Sequence, residues 1–324
     1  MRHIILDTDV GTDADDALAL ALAAACPDIH LVGVTTTHAD APLRARIARH
    51  LLCLAGRGET PVVAGASRPL TTPLPDPFHW HPRLWGHEGV GLLSPQDLTP
   101  TRAVDLDTTA DDAARFIVEL VAASPGDISL VAIGPLTNIA RALRLEPRLS
   151  DWARDLTLMG GMVDVRRTPW PPVLETNLNA DPGAAEIVFA SGLPVTVVPF
   201  EVTTRVFLSP EQRASMRAWK QPLAGALVTL MEEMLARFAD FSRDMNLPGD
   251  IFQGERTYMH DPLAVYASVA SNLIAVRDAH IQLEVHDRVL RTIAYPGRAP
   301  NMRLCIDVDA PRFVEHWLSQ VGRL

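Results

Sequence analysis

The sequence contains few cysteines, and those it has are far apart. Cys26, Cys53 and Cys305 are the only three in 324 residues, and each has apolar neighbours. A disulfide framework needs an even set of cysteines, and a structural zinc site needs clustered ones. The pattern therefore argues against both and predicts three buried free thiols in a reducing compartment.

Basic residues are also in short supply. Lys and Arg total 29 against 39 Asp and Glu, which gives a formal net charge of −10 with neutral histidines. Nucleic-acid surfaces need clustered Lys and Arg, and no long basic run occurs in this chain. The charge pattern argues against a nucleic-acid partner and favours a small-molecule substrate.

Long apolar runs are absent as well. The longest, residues 17–26, is well short of the roughly 18 residues that a membrane-spanning helix requires. Residues 1–3 lead directly into a short strand, which leaves no room for a cleavable signal peptide. The sequence thus predicts a soluble, cytoplasmic protein without a membrane partner.

The chain does have a regular alternation of apolar strands and helices. Strands are expected at residues 3–6, 29–36, 61–63, 128–133, 156–159 and 194–198. Such alternation favours parallel pairing with helical crossovers. The expected fold is α/β, an open, mostly parallel Rossmann-like sheet flanked by helices, in one domain of residues 1–324. Segments 281–285, 289–294 and 303–308 are expected to form a small antiparallel group before a final helix from Ala310.

The most informative segment is an acidic turn directly after the first apolar strand. Five aspartates precede or begin a helix rich in Ala and Leu: Asp7, Asp9, Asp13, Asp15 and Asp16. A strand that ends in a turn and a helix places carboxylates at the carboxyl edge of a parallel sheet, where α/β folds bind ligands. Helix capping would explain one of them, whereas mutual repulsion among five requires a counter-ion. The turn predicts a site for a hard cation such as Ca²⁺ or Mg²⁺.

Two turns further along the chain are expected at the same edge of the sheet. A Gly-Pro-Leu-Thr-Asn turn at residues 134–138 follows a strand, and either Thr137 or Asn138 is free to cap the next helix. A Met-Gly-Gly turn at residues 159–161 follows the next strand. Both turns place polar groups near the acidic turn.

Two pairs of polar residues complete the set of candidate groups. Glu175 and Asn177 follow the Met-Gly-Gly turn, and acidic and amide groups suit hydrogen bonding to sugar hydroxyls. His260 and Asp261 stand side by side at the start of an apolar helix. A helix cap would explain Asp261 but not the pair.

In their order along the chain, these segments resemble the inosine-uridine preferring nucleoside hydrolase family. The family pattern is an Asp-x-Asp-x-Gly…Asp-Asp opening, a Gly-Pro-Leu-Thr-Asn turn, a Met-Gly-Gly turn with a downstream Glu-x-Asn, and a His-Asp pair near the last quarter. The resemblance implies Ca²⁺-dependent hydrolysis of the N-glycosidic bond of ribonucleosides, which releases free base and ribose. It also implies a homodimer or homotetramer that works in purine or pyrimidine salvage.

The resemblance implies metal and catalytic roles for the matching residues. The implied calcium ligands are Asp9, Asp16, Asp261 and the backbone carbonyl of Thr137, completed by water and ribose hydroxyls. Asp9 is also the implied general base towards the metal-activated water, and His260 the implied acid towards the leaving base. The chemistry agrees, because carboxylates stabilise the oxocarbenium-like charge on the sugar and imidazole titrates near neutral pH.

The resemblance also implies which residues contact the nucleoside. Asp15 and Asn177 are expected to hold ribose hydroxyls, and Glu175 is expected at the 5′ end. The acidic turn has two more residues before its Asp-Asp pair than the common family pattern. Either Asp13 or Asp15 is therefore the implied ribose ligand. Asp15 is preferred because the apolar helix follows the pair directly. Three further residues are expected on the substrate side: Asp40, His87 and Met159.

Two of these residues stand where the chain departs from the family pattern. Asp40 follows Ala39 where many members have Gly-Asn, and His87 is displaced within a Gly-His-Glu-Gly segment. His87 also lies in a stretch rich in Pro, Trp, His and Gly, residues 67–107, which is expected to be a long functional loop. Five aromatic residues are able to stack on a base, although packing is their commoner use: Trp80, Trp85, Phe241, Phe252 and Tyr258.

Other functions stay open at this point. A non-catalytic protein could hold a nucleoside or ribose in the same cradle, and a hydrolase could act on an unusual ribosyl substrate. A haloacid-dehalogenase-like Mg²⁺ phosphatase also opens with a strand and Asp-x-Asp, but it requires Thr or Ser where Gly11 stands. Release of ribose would separate hydrolysis from binding, and release of phosphate would identify the phosphatase.

Overall fold

A central sheet of eight strands organises the fold in this computed structural model, which describes residues 1–73, 86–99, 110–168, 172–244 and 256–324. The strands, in chain order, are β1 (Arg2–Thr8), β2 (Ile29–Thr36), β3 (Val62–Ala64), β4 (Ile128–Ala132), β5 (Asp155–Met159), β6 (Val195–Val198), β7 (Phe207–Leu208), β8 (Thr257–Tyr258), β9 (Ile274–Ala279), β10 (Ile281–His286), β11 (Val289–Ala294) and β12 (Met302–Val308). The order in the sheet is β3-β2-β1-β4-β5-β6-β12-β9.

Pairing in this sheet is parallel from β3 to β12, and only β9 runs antiparallel, against β12. The predicted open, mostly parallel sheet is therefore confirmed. The expected C-terminal antiparallel group is confirmed for the β10–β11 hairpin. Residues 303–308 are antiparallel to β9, but they do not form a separate group with the hairpin, because β12 joins the main sheet and is also parallel to β6. Leu304 and Cys305 are both buried, so this strand is covered on both faces in the manner of a parallel-sheet strand.

Helices cover both faces of the sheet. They are α1 (Asp15–Ala25), α2 (Ala41–Leu54), α3 (Asp112–Ala123), α4 (Thr137–Leu145), α5 (Leu149–Trp152), α6 (Asn177–Ala180), α7 (Pro182–Ala190), α8 (Phe200–Thr203), α9 (Pro210–Met216), α10 (Pro222–Asp244), α11 (His260–Val269) and α12 (Ala310–Val321). One hydrophobic core joins α1, α2, α10, α11 and α12, and a second joins α3, α4 and α7. On β1, Ile4 and Leu6 enter the first core and Ile5 the second, which explains why this strand is continuously apolar.

The register of the parallel strands places three turns side by side. Asp7 of β1 is paired with Thr35 of β2 and with Ala132 of β4, so these strands end at the same level. β5 lies next to β4 and ends at Met159. The acidic turn after β1, the Gly-Pro turn after β4 and the Met-Gly-Gly turn after β5 therefore share one edge of the sheet.

The cysteine prediction holds for two of the three residues. All three are free thiols, and Cys26 and Cys305 are buried. Cys53 is exposed, so the prediction of a buried thiol there is wrong. The reason is the helical period of α2, whose buried stripe runs through Leu51 and Leu52 and leaves the next position facing solvent. Among the described helices, none is long and apolar enough to cross a membrane.

Candidate active site

The acidic turn lies between the end of β1 and the start of α1, in the middle of the sheet edge. Asp15 and Asp16 form the first turn of α1, and Ala14 at the N-cap position makes no side-chain cap. The Asp16 carboxylate accepts hydrogen bonds from the Thr8 hydroxyl and from the backbone N–H of Asp9 (3.2 Å). The Asp16 carboxylate is thus held by the end of β1, and capping of α1 does not account for it.

Three carboxylates from two distant parts of the chain converge at this turn. Asp15, Asp16 and Asp261 each offer an oxygen, and these oxygens lie within 4.8 Å of one another. Asp261 comes from the first turn of α11, which packs against α1. Calcium binds oxygens at roughly 2.3–2.6 Å, so ligands on opposite sides of one ion are about 5 Å apart. The buried group of three oxygen donors fits one hard divalent cation.

The electrostatics of the cluster favour a cation. The pKa values of Asp15, Asp16 and Asp261 are raised well above the ordinary range, mainly by burial and further by repulsion from neighbouring carboxylates. Burial likewise raises the pKa of Asp13 to about 6. A bound cation would offset this repulsion and hold the carboxylates in their ionised form.

Asp9 lies beside the group of three carboxylates. Its charge contributes to the raised pKa values of Asp15, Asp16 and Asp261. A Cβ atom at Gly134 would be 2.5 Å from Oδ1 of Asp9, so only glycine lets the turn after β4 approach this carboxylate. The structure thus brings Asp9 next to the cluster. The three carboxylates whose oxygens lie within 4.8 Å of one another are, however, those of Asp15, Asp16 and Asp261. The ligand and base roles of Asp9 stay predictions.

The turn at residues 134–138 ties the sheet edge together but does not cap the next helix. α4 begins at Thr137 with Leu136 at the N-cap and no side-chain cap. The Thr137 hydroxyl donates instead to Asp181 (2.8 Å), and the Asn138 amide donates to the Asp7 carboxylate (2.7 Å). The capping prediction is wrong because both side chains find buried acceptors on neighbouring elements. The carbonyl of Thr137 stays a predicted metal ligand.

The Met-Gly-Gly turn and the Glu-x-Asn segment meet at the same edge. The Asn177 amide donates to the carbonyl of Ile133 (2.8 Å) and to the carbonyl of Met159 (3.2 Å). The Glu175 carboxylate accepts from the N–H of Leu178 (3.1 Å), and burial raises its pKa. These contacts place Met159, Glu175 and Asn177 together beside the turn after β4. Their substrate roles stay predictions.

His260 is buried next to the metal-ligand candidate Asp261. Its Nδ1 lies 2.7 Å from the hydroxyl of Thr203. The ring stacks with Phe200 and with Tyr258, at centroid distances of 5.1 Å and 5.6 Å. Burial lowers the pKa of His260 to about 3, so the imidazole is neutral near pH 7. The leaving-group role of His260 stays a prediction.

A buried arginine lies behind the acidic turn, and sequence reasoning did not single it out. The Arg44 side chain donates to the carbonyls of Asp9, Val10 (3.1 Å) and His38 (2.9 Å) and to the Thr12 hydroxyl (2.9 Å). Its charge acts against the rise in the pKa of Asp9. The sequence did contain a signal, since Arg44 lies three residues before Ile47 on the apolar stripe of α2, where a charged side chain is unexpected.

Two other predicted substrate residues have structural contacts. Nε2 of His87 lies 3.0 Å from the Thr12 carbonyl, which can only accept, so Nε2 carries the hydrogen. The other nitrogen, Nδ1, is buried and has no hydrogen-bond partner within the described part of the chain. The Asp40 carboxylate accepts from the N–H of Leu43 (2.9 Å) and caps α2. His87 is therefore held against the acidic turn, and both substrate roles stay predictions.

The aromatic candidates divide into three groups. Phe241 is buried near the end of α10, and Tyr258 stacks on His260. Three lie outside the described residues: Trp80, Trp85 and Phe252. The predicted loop at residues 67–107 is described only at residues 67–73 and 86–99. Phe241 is therefore a buried side chain, while Tyr258 belongs to the candidate site through its contact with His260.

Two further residues that organise the site had a weak signal in the sequence or none. Asp181 accepts hydrogen bonds from the N–H of Leu70 (2.7 Å) and from Thr137, and it caps α7. Its place before Pro182 is a helix-start signal, but that signal does not show the long-range contacts. Thr203 has no sequence signal at all, because its partner His260 comes from a distant helix.

Comparisons with known proteins agree on one family. The chain matches the family described as inosine-uridine preferring nucleoside hydrolase over residues 4–315. The pyrimidine-specific ribonucleoside hydrolase RihA of Shewanella baltica is 31% identical over 326 residues, 97% of this chain and 94% of that protein. The probable uridine nucleosidase 2 of Oryza sativa is 31% identical over 286 residues, 87% of this chain and 78% of that protein. A purine-preferring ribonucleoside hydrolase from Gardnerella vaginalis superposes with a TM-score of 0.78 at 27% identity, covering 99% of this chain and 98% of that chain.

Proposed function

Because this chain belongs to the inosine-uridine preferring nucleoside hydrolase family and is thus a ribonucleoside hydrolase, we propose that it uses Ca²⁺ to hydrolyse the N-glycosidic bond. The observation that carries the proposal is the convergence of Asp15, Asp16 and Asp261 within 4.8 Å. Oxygen donors alone favour hard cations such as Ca²⁺. When bound, Ca²⁺ would orient and acidify the attacking water and hold the ribose hydroxyls.

The proposed ligands of the cation are Asp9, Asp16, Asp261 and the backbone carbonyl of Thr137. Asp15 is proposed to hold a ribose hydroxyl, which its position beside Asp16 and Asp261 supports. Asp9 is proposed as the general base that takes a proton from the attacking water. Burial raises the pKa of Asp9 in the absence of a cation, and a bound cation would keep this carboxylate in the ionised form that a general base needs.

The rest of the site is proposed to receive the nucleoside. Asn177 and Glu175 are proposed to bind the ribose and its 5′ end, and His260 to face the leaving base. The carboxylates around the sugar would stabilise the positive charge that develops as the bond breaks. Asp40, His87 and Met159 are proposed to complete the substrate side. The protein is proposed to act as one domain of residues 1–324 in a cytoplasmic homodimer or homotetramer that serves salvage.

A substrate panel tests the proposal. The purified protein is incubated with inosine, uridine, cytidine, adenosine, guanosine and an aryl riboside, with a strong chelator or with added Ca²⁺, and the released reducing sugar is measured. The named relatives act on different bases, so the panel includes purines and pyrimidines. We expect ribose release that the chelator abolishes and Ca²⁺ restores. Restoration by Mg²⁺ but not by Ca²⁺ would contradict the choice of metal.

A matched pair of variants locates the cation. Asp261→Asn keeps the size of the side chain but removes one ligand charge, so it should weaken Ca²⁺ binding and lower turnover by about 100-fold or more. Asp278→Asn changes an exposed aspartate of β9 and should leave both unchanged. Normal Ca²⁺ retention in Asp261→Asn would refute the ligand assignment. Bound Ca²⁺ without ribose release from any nucleoside would favour an unusual ribosyl substrate.

A further inference from the structure

The hydroxyl of Thr203 lies between two groups that compete for its hydrogen. Its Oγ1 is 3.1 Å from the carbonyl oxygen of Phe200 and 2.7 Å from Nδ1 of His260. A hydroxyl carries one hydrogen, and a carbonyl oxygen can only accept. If both contacts are hydrogen bonds, the hydroxyl donates to Phe200, and Nδ1–H of His260 must donate to the hydroxyl oxygen.

The surroundings of His260 hold the ring in this orientation. Phe200 stacks on the ring at an interplanar angle of 11° and Tyr258 at 23°. Thr203 and His260 are both buried, so water does not readily replace the hydroxyl as a partner of Nδ1. A 180° flip of the ring would put Cδ2 in the place of Nδ1 and so break the hydrogen bond to Thr203. The orientation is therefore set by α8 and β8, outside the carboxylate cluster.

We propose that Thr203 is a positioning residue that holds His260 in the tautomer with hydrogen on Nδ1, so that Nε2 offers a lone pair to the substrate. This inference rests on the proposed function and deepens it, because it makes His260 a hydrogen-bond acceptor for the substrate before the reaction begins. His260 then accepts a hydrogen bond from an O–H or N–H group of the nucleoside. Among the described residues, none is hydrogen-bonded to Nε2, which is in keeping with a substrate partner.

The same arrangement limits the expected acid role of His260. To donate from Nε2 as a neutral ring, His260 must release its Nδ1 proton to water and gain one at Nε2. The Thr203 hydroxyl must then turn from the Phe200 carbonyl and donate to Nδ1. Donation from the neutral ring thus requires the loss of the bond between Thr203 and Phe200, whereas an imidazolium that has gained a proton at Nε2 keeps Nδ1–H on the Thr203 hydroxyl and donates without that loss.

Two substitutions at Thr203 separate the hydroxyl from the packing. Thr203→Val keeps the shape of the side chain and removes the hydroxyl, whereas Thr203→Ser keeps the hydroxyl. The Phe200 carbonyl also accepts from the N–H of Thr204 (3.0 Å), so it retains a partner in the valine variant. Thr204→Val is the matched control, because that side chain is the next in sequence and has no contact with His260 among the described hydrogen bonds.

The test is nitrogen NMR of the full chain with ¹⁵N-labelled histidine, recorded without substrate. The chain has 11 histidines, and the spectrum of His260→Gln assigns the signals of His260 by their loss. We expect a pyrrole-type Nδ1 and a pyridine-type Nε2 for His260 in the wild type, in Thr203→Ser and in Thr204→Val. In Thr203→Val both signals should move towards the values of a mixture of tautomers.

Two results would overturn the inference. One is a pyridine-type Nδ1 in the wild type, and the other is an unchanged spectrum of His260 in Thr203→Val. With an active nucleoside, kcat/KM of Thr203→Val should fall about tenfold, the effect of one lost hydrogen bond, and Thr203→Ser should restore it. Because the spectra are recorded without substrate, absence of ribose release would overturn the proposed function and leave the tautomer result standing.

Discussion

Arg44 shows how one residue organises the candidate site from behind. The side chain is almost fully buried, at 1% exposure, yet it carries a full positive charge. It donates to the carbonyl of Val10 in the acidic turn, to the carbonyl of His38 between β2 and α2, and to the Thr12 hydroxyl. A buried charge is tolerated only when it is paired and hydrogen-bonded. The carboxylates of the turn provide the pairing, so Arg44 stabilises the turn even without a metal.

Replacement of Arg44 tests this role. Arg44→Met keeps much of the apolar stem but removes the charge and its donors, so the free energy of unfolding in chelator should fall by about 3 kcal/mol or more. Arg49→Met, on an exposed position of the same helix, removes a contact to the Val62 carbonyl and should cost less than about 1 kcal/mol. Urea unfolding measures both values. Equal losses in the two variants would contradict the role of Arg44.

At the scale of elements, the connection between β2 and α2 adopts an unusual backbone. His38 and Ala39 have φ angles of 69° and 51°, in the left-handed region that favours glycine. This conformation directs the His38 carbonyl towards Arg44 and lets Asp40 cap α2. The strain is compatible with the fold because the hydrogen bonds around it hold both residues in place.

Glycine should relieve this strain. Ala39→Gly should raise the free energy of unfolding by about 1 kcal/mol, because the left-handed conformation then carries no Cβ penalty. Ala45→Gly, in the middle of α2, should lower it by about 1 kcal/mol. Thermal or urea unfolding of the two variants provides the comparison. Destabilisation by both to the same extent would mean that residue 39 is not strained.

At the scale of the whole molecule, folding concentrates negative charge at one edge of the sheet. β1 and α1 contribute aspartates from the beginning of the chain, and α11 contributes Asp261 from near its end. Burial raises the pKa of Asp7 to about 7 and that of Asp13 to about 6. Both values lie above the range of an unfolded aspartate, so folding favours the protonated forms.

This shift makes stability without metal depend on pH. A carboxyl whose folded pKa is raised contributes stability below its unfolded pKa of about 4, and this stability is lost as the pH rises through the folded value. In chelator, the melting temperature should therefore fall between about pH 5 and about pH 8. Asp7→Asn should reduce this slope, because amide groups do not titrate. Added Ca²⁺ should oppose the fall, since it binds the ionised carboxylates. A melting temperature in chelator that rises over this range would contradict the electrostatic account.

Much of the fold was readable from local pattern. The apolar strands of the parallel sheet alternate with helices, and the acidic turn, the Gly-Pro turn and the His-Asp pair each lie at a predicted boundary. Gly134 illustrates why, since a glycine after a strand marks a close backbone approach whatever the partner is. Local signals of this kind depend on neighbouring residues in the sequence, so they are present before the chain folds.

Contacts between distant residues were decided only by the tertiary structure. Asn138 is suited to cap a helix, yet it donates to Asp7 across the sheet. β12 has the alternation of a small antiparallel group, yet besides its antiparallel partner β9 it pairs in parallel with β6. The sequence alone determined the strands of the parallel sheet and the turns, because these depend on short-range pattern, and the order of the motifs along the chain determined the family. The tertiary structure decided which side chains meet, because long-range partners are selected by the packing of whole helices against the sheet, as Thr203 and His260 are by the packing of α8 and α11.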